Sequence, residues 1–255
     1  MPCIVLLIEK RQRNMILSGH QPNYLPYPGL VGKIMMSDKF IYVTKVQFER
    51  KSWQNRNRIK TVNGPIFLTV PTLKKGKYNQ LICDVKINND LNWRRKHFNA
   101  ININYKNSKF YNTYIEFFED LYNKYWDNLC DLDIYVMNYI LNELEIKTEV
   151  LYDKNFNFEG NKTEFLVDMC KKTNCDTYMS NKGSENYVDL STFSQNELNH
   201  IYINYMGKQY EQCFKNFVSD MSIIDMLFNC GKIQTKQVLE DVNSYEISKI
   251  NSRLE

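Results

Sequence analysis

No stretch of the chain reaches the run of about 20 apolar residues that a membrane-spanning helix needs. Pro2–Ile8 is apolar but short, and the charged residues follow it at Glu9–Arg13, the reverse of the order in a secretory leader. A cytoplasmic protein, at most loosely peripheral to a membrane, is expected. Several motifs that announce familiar chemistries are missing. There is no GxGxxG, no phosphate-cradling P-loop, no HExxH, no nucleophilic Ser flanked by glycines, and no DxD placed as metal-dependent sugar transferases place it. The seven cysteines form no CxxC pair, and Cys170 and Cys175 have no histidine near them in sequence. They read as free thiols in a reducing compartment, with no metal bound. A large charge excess is missing too: the net charge of +4 permits an anionic ligand without calling for nucleic acid.

What is present is concentrated early. Three of the six prolines fall within Ser18-Gly19-His20-Gln21-Pro22-Asn23-Tyr24-Leu25-Pro26-Tyr27-Pro28-Gly29. Proline fixes φ and removes a donor, so this stretch is neither helix nor central strand. It is a stiff, shaped loop that presents His20, Gln21, Asn23 and Tyr24, and such loops hold functional side chains more often than plain connections do. A basic stretch follows at Glu49–Lys60, with Trp53 and Asn55 interleaved among Arg50, Lys51, Arg56, Arg58 and Lys60. Guanidiniums pair with phosphate through two hydrogen bonds, and a nearby aromatic can stack on a base or a sugar.

Periodicity gives the rest of the order. Met15–Gly19 reads as a buried strand, Leu30–Ser37 as a short helix and Lys39–Phe48 as a second strand, together a βαβ unit with parallel strands. Asn63-Gly64 marks a hairpin turn before a strand at Ile66–Val70, and Gln80–Ile87 reads as a fourth strand. Lys74–Lys77 is a basic surface loop. Trp93, His97, Ile101 and Tyr105 lie four apart on one helical face, and the same pattern recurs over Lys109–Trp126 and Leu129–Leu144. Strands are expected at Lys147–Tyr152, Thr177–Met179 and Ile201–Tyr205, and helices at Thr163–Lys172 and Ser222–Cys230, the last stopped by Gly231. Ser180–Asp189, a polar loop after a strand, offers backbone N–H groups to an anion. The expected fold is α/β, with a Rossmann-like, mostly parallel sheet and an inserted helical subdomain at about 92–144. Residues 1–14 read as an extension, 15–242 as one domain and 243–255 as a polar tail.

His20-Gln21-Pro22-x-Tyr24-x-Pro26, then Asp38-Lys39-Phe40, Gln47-Phe48, Trp53-Gln54-Asn55-Arg56 and Leu68-Thr69-Val70-Pro71, resemble the signature of the WbqC-like family. The similarity continues through Trp93, His97, Tyr105 and Tyr187-Val188-Asp189 to Ser222–Gly231. That family is bacterial and occurs in gene clusters for O-antigen and other surface polysaccharides. In it the Ser180 loop typically reads Ser-Gly with a further Gly close by, whereas Asn181 and Lys182 intervene here.

The resemblance implies the pathway, surface-polysaccharide biosynthesis. Within it the expected function is an enzyme that modifies a nucleotide-activated amino sugar, with acyl or aminoacyl transfer to form an amide as the expected reaction. A glycosyl- or nucleotidyltransferase, or a non-catalytic sugar-nucleotide-binding or assembly protein, are the alternatives. His20 and His97 are the candidate catalytic residues, His20 as general base or as donor to a developing oxyanion. Gln21, Asn23, Tyr24, Gln47, Trp53, Asn55, Arg56, Arg58, Ser180 and Tyr187 are the candidate substrate-binding residues, with the two arginines on the diphosphate and Tyr24 and Trp53 on the sugar or base. His20, Tyr24, Arg56 and Ser180 are expected to line one cleft. The amide chemistry would call for ATP with Mg²⁺ or an already activated acyl donor; the cofactor and the oligomeric state stay open.

Overall fold

A computed structural model describes residues 14–251 apart from 75, 77 and 78, with the backbone alone over 244–251. The expected extension at 1–14, save its last residue, the end of the tail and part of the Lys74–Lys77 loop lie outside the described residues. Five strands, β1 (Ile16–His20), β2 (Lys39–Tyr42), β5 (Glu149–Tyr152), β6 (Thr177–Asn181) and β7 (Asn199–Ile203), form one sheet in the order β5-β2-β1-β6-β7. All four pairings are parallel. Parallel neighbours need crossovers, and the crossovers place helices on both faces. The strands are therefore short and apolar throughout: Phe40, Ile41 and Tyr42 are all buried.

The two faces carry separate cores. Phe40 and Tyr42 pack with α1 (Pro28–Met35), α2 (Trp93–Tyr105), α3 (Tyr111–Asn123), α4 (Leu129–Glu143) and the start of α7 (Ile223–Asn251). Leu17 and Ile41 face the other way, onto α5 (Thr163–Lys172) and α6 (Leu190–Gln195). The fold is thus Rossmann-like α/β, with the helical insertion α2–α4 standing between β2 and β5. Gly231 interrupts α7 with φ 71° and ψ 175°, where the stop was expected. A Cβ there would lie 2.6 Å from the Phe110 ring. The helix resumes beyond it, so the tail expected from 243 is, through Asn251, the end of α7.

Three expectations need correction. Arg56–Lys60 is not a loop but most of β3 (Arg56–Thr61), paired antiparallel with β4 (Gly64–Thr69) in a hairpin separate from the main sheet. Its alternation was masked because the inward positions include Asn57 and Lys60 beside Ile59, all buried. Gln80–Ile87 is not a strand: a single 3₁₀ turn, Ile82–Asp84, is flanked by isolated bridges. Ile82, Val85 and Ile87 anchor an irregular segment to the core, which imitates a strand's apolar spacing without ladder partners. Strand β2 ends at Tyr42, and Thr44 and Lys45 beyond it are clamped by one carboxylate. Asp153, directly after β5, accepts from Thr44 N (2.6 Å), Thr44 Oγ1 (2.6 Å) and Lys45 N (2.8 Å). Among the described residues no helix is long and apolar enough to cross a membrane.

The Asp153 clamp joins the C-terminal ends of two neighbouring strands. Asp153→Ala leaves three donors without acceptors, and an unmet buried group costs about 1–3 kcal/mol. A loss of roughly 3 kcal/mol and a fall in Tm of roughly 6–12 °C are expected, measured by chemical and thermal denaturation.

Candidate functional site

Sequence order and spatial order in the sheet part company at one place. The chain moves from β1 to β2 to β5 on one side, then returns to lay β6 and β7 on the other side of β1. Connections leaving β1 and β6 diverge to opposite faces, and a crevice opens between them beyond the strands' carboxyl ends. A cavity of about 510 Å³ sits there. Its walls include Gly19 and His20 at the end of β1, Ser180 and Asn181 at the end of β6, Lys33 of α1, Lys162 before α5, and Tyr178 and Tyr187. Among the described residues no carboxylate lines it, whereas two lysines do.

His20 is set by the proline loop. Its Nδ1 lies 2.8 Å from the Gln21 carbonyl, which can only accept, so Nδ1 carries the proton and Nε2 is left with a lone pair. Burial, then the charge of Lys33 beside it, lowers the imidazole to about 3, against the opposing pull of the Gln21 carbonyl and Asn23. The ring is neutral at physiological pH, an acceptor rather than a donor.

Lys33 was not foreseen, because in sequence it is a helix residue between Gly32 and Ile34. It is 3% exposed. Its Nζ donates to the Gly19 carbonyl at 3.1 Å and has no ion pair among the described residues. Burial lowers it to about 7. A lysine in such a place costs stability, because desolvation of an ammonium is not offset by a counter-charge.

Two further features face the same cavity. Ser180 Oγ is 3.0 Å from His200 Nε2, a pair made possible because Tyr178, Ser180, His200 and Tyr202 share one face of β6 and β7. His200, which sequence reasoning passed over, is lowered to about 4 by burial, and its Nδ1 is buried without a partner. Before α5, Gly160 has φ 81° and Lys162 has φ 50°, ψ −117°, a region L-residues rarely enter. That backbone delivers the Lys162 side chain and the uncapped N-terminus of a ten-residue helix to the cavity wall, an arrangement that favours negative charge. Two more cavities, of about 380 and 460 Å³, continue along the sheet edge past Lys45 and Asp153.

Of the residues expected from the sequence, the structure gathers His20, Gln21, Ser180 and Tyr187 at the cavity. It does not bring Tyr24 or Arg56 there. Tyr24 is 0% exposed, with its hydroxyl 2.8 Å from His97 Nδ1 and 2.5 Å from the Tyr122 hydroxyl. His97 also hydrogen-bonds the Thr69 carbonyl, and burial holds it at about 4. The two residues tie the proline loop, β4, α2 and α3 together in the core; their spacing signalled helix burial, and the polar atoms satisfy each other. Asn23 is buried, and Gln47 is exposed outside the cavity. Trp53, Arg56 and Arg58 belong to the hairpin side. The Arg56 guanidinium lies 4.4 Å from the Phe67 ring, and Arg58 donates to the Asp220 carbonyl at 2.9 Å. Asn55 donates to the Val70 carbonyl. The basic stretch touches the site only through Gln54, which donates to Gln21 Oε1 at 3.1 Å.

A parallel sheet with a polar, cationic cavity at its switch point defines a Rossmann-like α/β protein with an open crevice beyond its strands' carboxyl ends. The chain belongs to the WbqC-like protein family, which it matches over residues 21–237. It is 30% identical over 213 residues to the uncharacterized protein Rv1507c of Mycobacterium tuberculosis (strain ATCC 25618 / H37Rv), a match spanning 83% of this chain and 92% of that protein. No solved structure matches the chain significantly.

Lys33 and the histidines make opposite halves of the pH range informative. Lys33 is lowered to about 7 in the fold and titrates near 10.5 when unfolded. Between those values the unfolded chain binds more protons, so this residue's contribution to stability rises with pH across that window and its full cost is felt below 7. Lys33→Met is expected to be more stable than the parent by about 2–4 kcal/mol at pH 7, with the gap closing toward pH 10.5; denaturant melts at stepped pH measure it. His20, His97 and His200, lowered to about 3, 4 and 4, hold stability that is present above 6.5 and lost as pH falls toward 4. His97→Gln, which keeps a polar group in the core, is expected to flatten that acid slope.

Proposed function

We propose that the chain is an enzyme of surface-polysaccharide assembly. It binds a nucleotide-activated amino sugar in the switch-point cavity and transfers an acyl or aminoacyl group to the sugar's amine. The observation that carries this reading is the cavity itself: two lysines, no carboxylate and a neutral imidazole at the position where open parallel sheets bind ligands. Lys162 and the first turn of α5 suit the diphosphate, in place of the arginines of the hairpin. His20 Nε2 accepts a hydrogen bond from the attacking amine, holds its lone pair toward the acyl carbon, and takes the proton as the bond forms. The nitrogen–carbon bond forms as the bond from the acyl carbon to the donor's leaving group breaks, and that group departs with the electron pair. Membership of the WbqC-like family supports the pathway, and a cytoplasmic location accords with substrates of this class.

A ligand that binds only the folded state raises Tm, by about 2.7 kcal/mol of added stability at a hundredfold excess over Kd. A thermal-shift series with UDP-, GDP- and dTDP-linked amino sugars is expected to give a clear rise for at least one of them. Lys162→Ala is expected to weaken that ligand about tenfold or more, since a charge-assisted contact contributes about 1.5–3 kcal/mol. Arg56→Ala is expected to leave its affinity unchanged. The absence of a shift with every nucleotide and nucleotide-sugar would rule this function out.

A further inference from the structure

We propose that an anionic ligand in the switch-point cavity is paired by Lys33, and that Lys33 takes up a proton from solution as the ligand binds. This deepens the functional reading above and rests on it for the identity of the anion, but not for the proton.

The argument begins with what Lys33 lacks. Its amine is fully inside the protein, on the cavity wall, with one carbonyl as partner. An ammonium has three donors, and two of them meet no acceptor among the described residues. The titratable groups that line the cavity with it are His20 at the end of β1, Tyr178 of β6, Lys162 before α5 and Tyr187 beyond β6; none carries negative charge at neutral pH. Among the described side chains of α7, which packs along α1, Asn243 donates its amide to the Gly32 carbonyl and Asp241 is paired with Lys208. No described residue therefore supplies a counter-charge that would keep Lys33 protonated, and burial pulls it toward the neutral amine.

A diphosphate entering the cavity changes that balance. It brings negative charge and acceptor oxygens to the two unmet donors, and it does so where water is scarce and charges interact strongly. The ammonium then becomes the favoured form. Above neutrality the amine must gain a proton for this to happen, so binding and protonation are linked, and affinity falls as pH rises. Lys162, on the same cavity wall, is exposed and adds attraction for the anion.

The test is isothermal titration calorimetry with UDP, GDP and dTDP and, separately, inorganic pyrophosphate at pH 8, in two buffers of different ionisation enthalpy. At that pH the nucleotides are largely ionised, so the buffer dependence of their heat counts protons taken up by the protein; pyrophosphate keeps one proton there, so its count is read as the difference between the parent and Lys33→Met. Uptake of close to one proton per site is expected for the parent chain, with affinity falling by about tenfold per pH unit between 8 and 9. Lys33→Arg is expected to bind with no uptake, and Lys33→Met to bind at least tenfold more weakly and also without uptake. Lys162→Met is expected to lose affinity while keeping the uptake. Binding of UDP, GDP or dTDP without proton uptake would overturn the proposal and leave the nucleotide-sugar reading intact. Binding of pyrophosphate with uptake, but of none of UDP, GDP and dTDP, would support the proposal and overturn that reading. Failure of pyrophosphate and all three nucleotides to bind overturns both. Because Lys33→Met is expected to be the more stable protein, its loss of binding cannot be put down to unfolding, and a melt on the same sample verifies it.

Discussion

The constraint on which the rest depends is that all five strands run the same way. A parallel neighbour can be reached only by crossing over the sheet, so every strand is followed by a helix or an insertion, and both faces must be covered. Covering both faces makes the strands apolar on both sides, as Phe40, Ile41 and Tyr42 are. The return from β5 to β6 reverses the direction in which the sheet grows, and the connections leaving β1 and β6 part there, which opens a crevice between their ends. The cavity follows from this reversal; the residues at the two strand ends then decide its chemistry.

That chemistry is set as much by exclusion as by placement. Two buried carboxylates are engaged away from the cavity: Asp153 by Thr44 and Lys45, and Asp225 of α7 by Tyr105, Tyr210 and Gln212. The switch-point cavity keeps only basic and neutral groups. Lys33 imposes a stability cost that no contact within the fold offsets, which is the usual mark of a group retained for a ligand rather than for the fold. The positive φ at Lys162 points the same way, since a non-glycine residue holds such a backbone only where its surroundings compel it.

The proline loop divides its residues between two tasks. His20 and Gln21, at its start, reach the cavity. Asn23, Tyr24 and Leu25 turn inward, where Tyr24 meets His97 and Tyr122, and the Leu25 carbonyl accepts from Asn57 at 2.5 Å. The same rigidity serves both: the inward half anchors the loop to the helical insertion and the hairpin, and so fixes the imidazole at the end of β1. His97 and Tyr24 thus hold the loop from within the core, away from the cavity.

Local pattern determined the elements with period and punctuation. The helices at Trp93, Lys109 and Leu129 were legible from apolar residues four apart, the hairpin turn from Asn63-Gly64, the helix break from Gly231, and the βαβ opening from the proline loop between two apolar runs. Those signals are local, and local backbone preference is written residue by residue. His20, Gln21 and Ser180 were legible as cavity residues because each lies at the end of a strand, and Tyr187 because it belongs to the polar loop after one, where a parallel sheet gathers its loops. The tertiary structure alone decided the rest. It sent Arg56 and Arg58 to a separate hairpin, closed Tyr24 and His97 into a core network, drew Lys33 to the cavity and set His200 against Ser180 on its wall. A residue's charge is visible in a sequence, but its burial and its partners come from elements far away along the chain. Whether a lysine is a solvated surface group or a buried amine awaiting an anion is settled only when those elements meet.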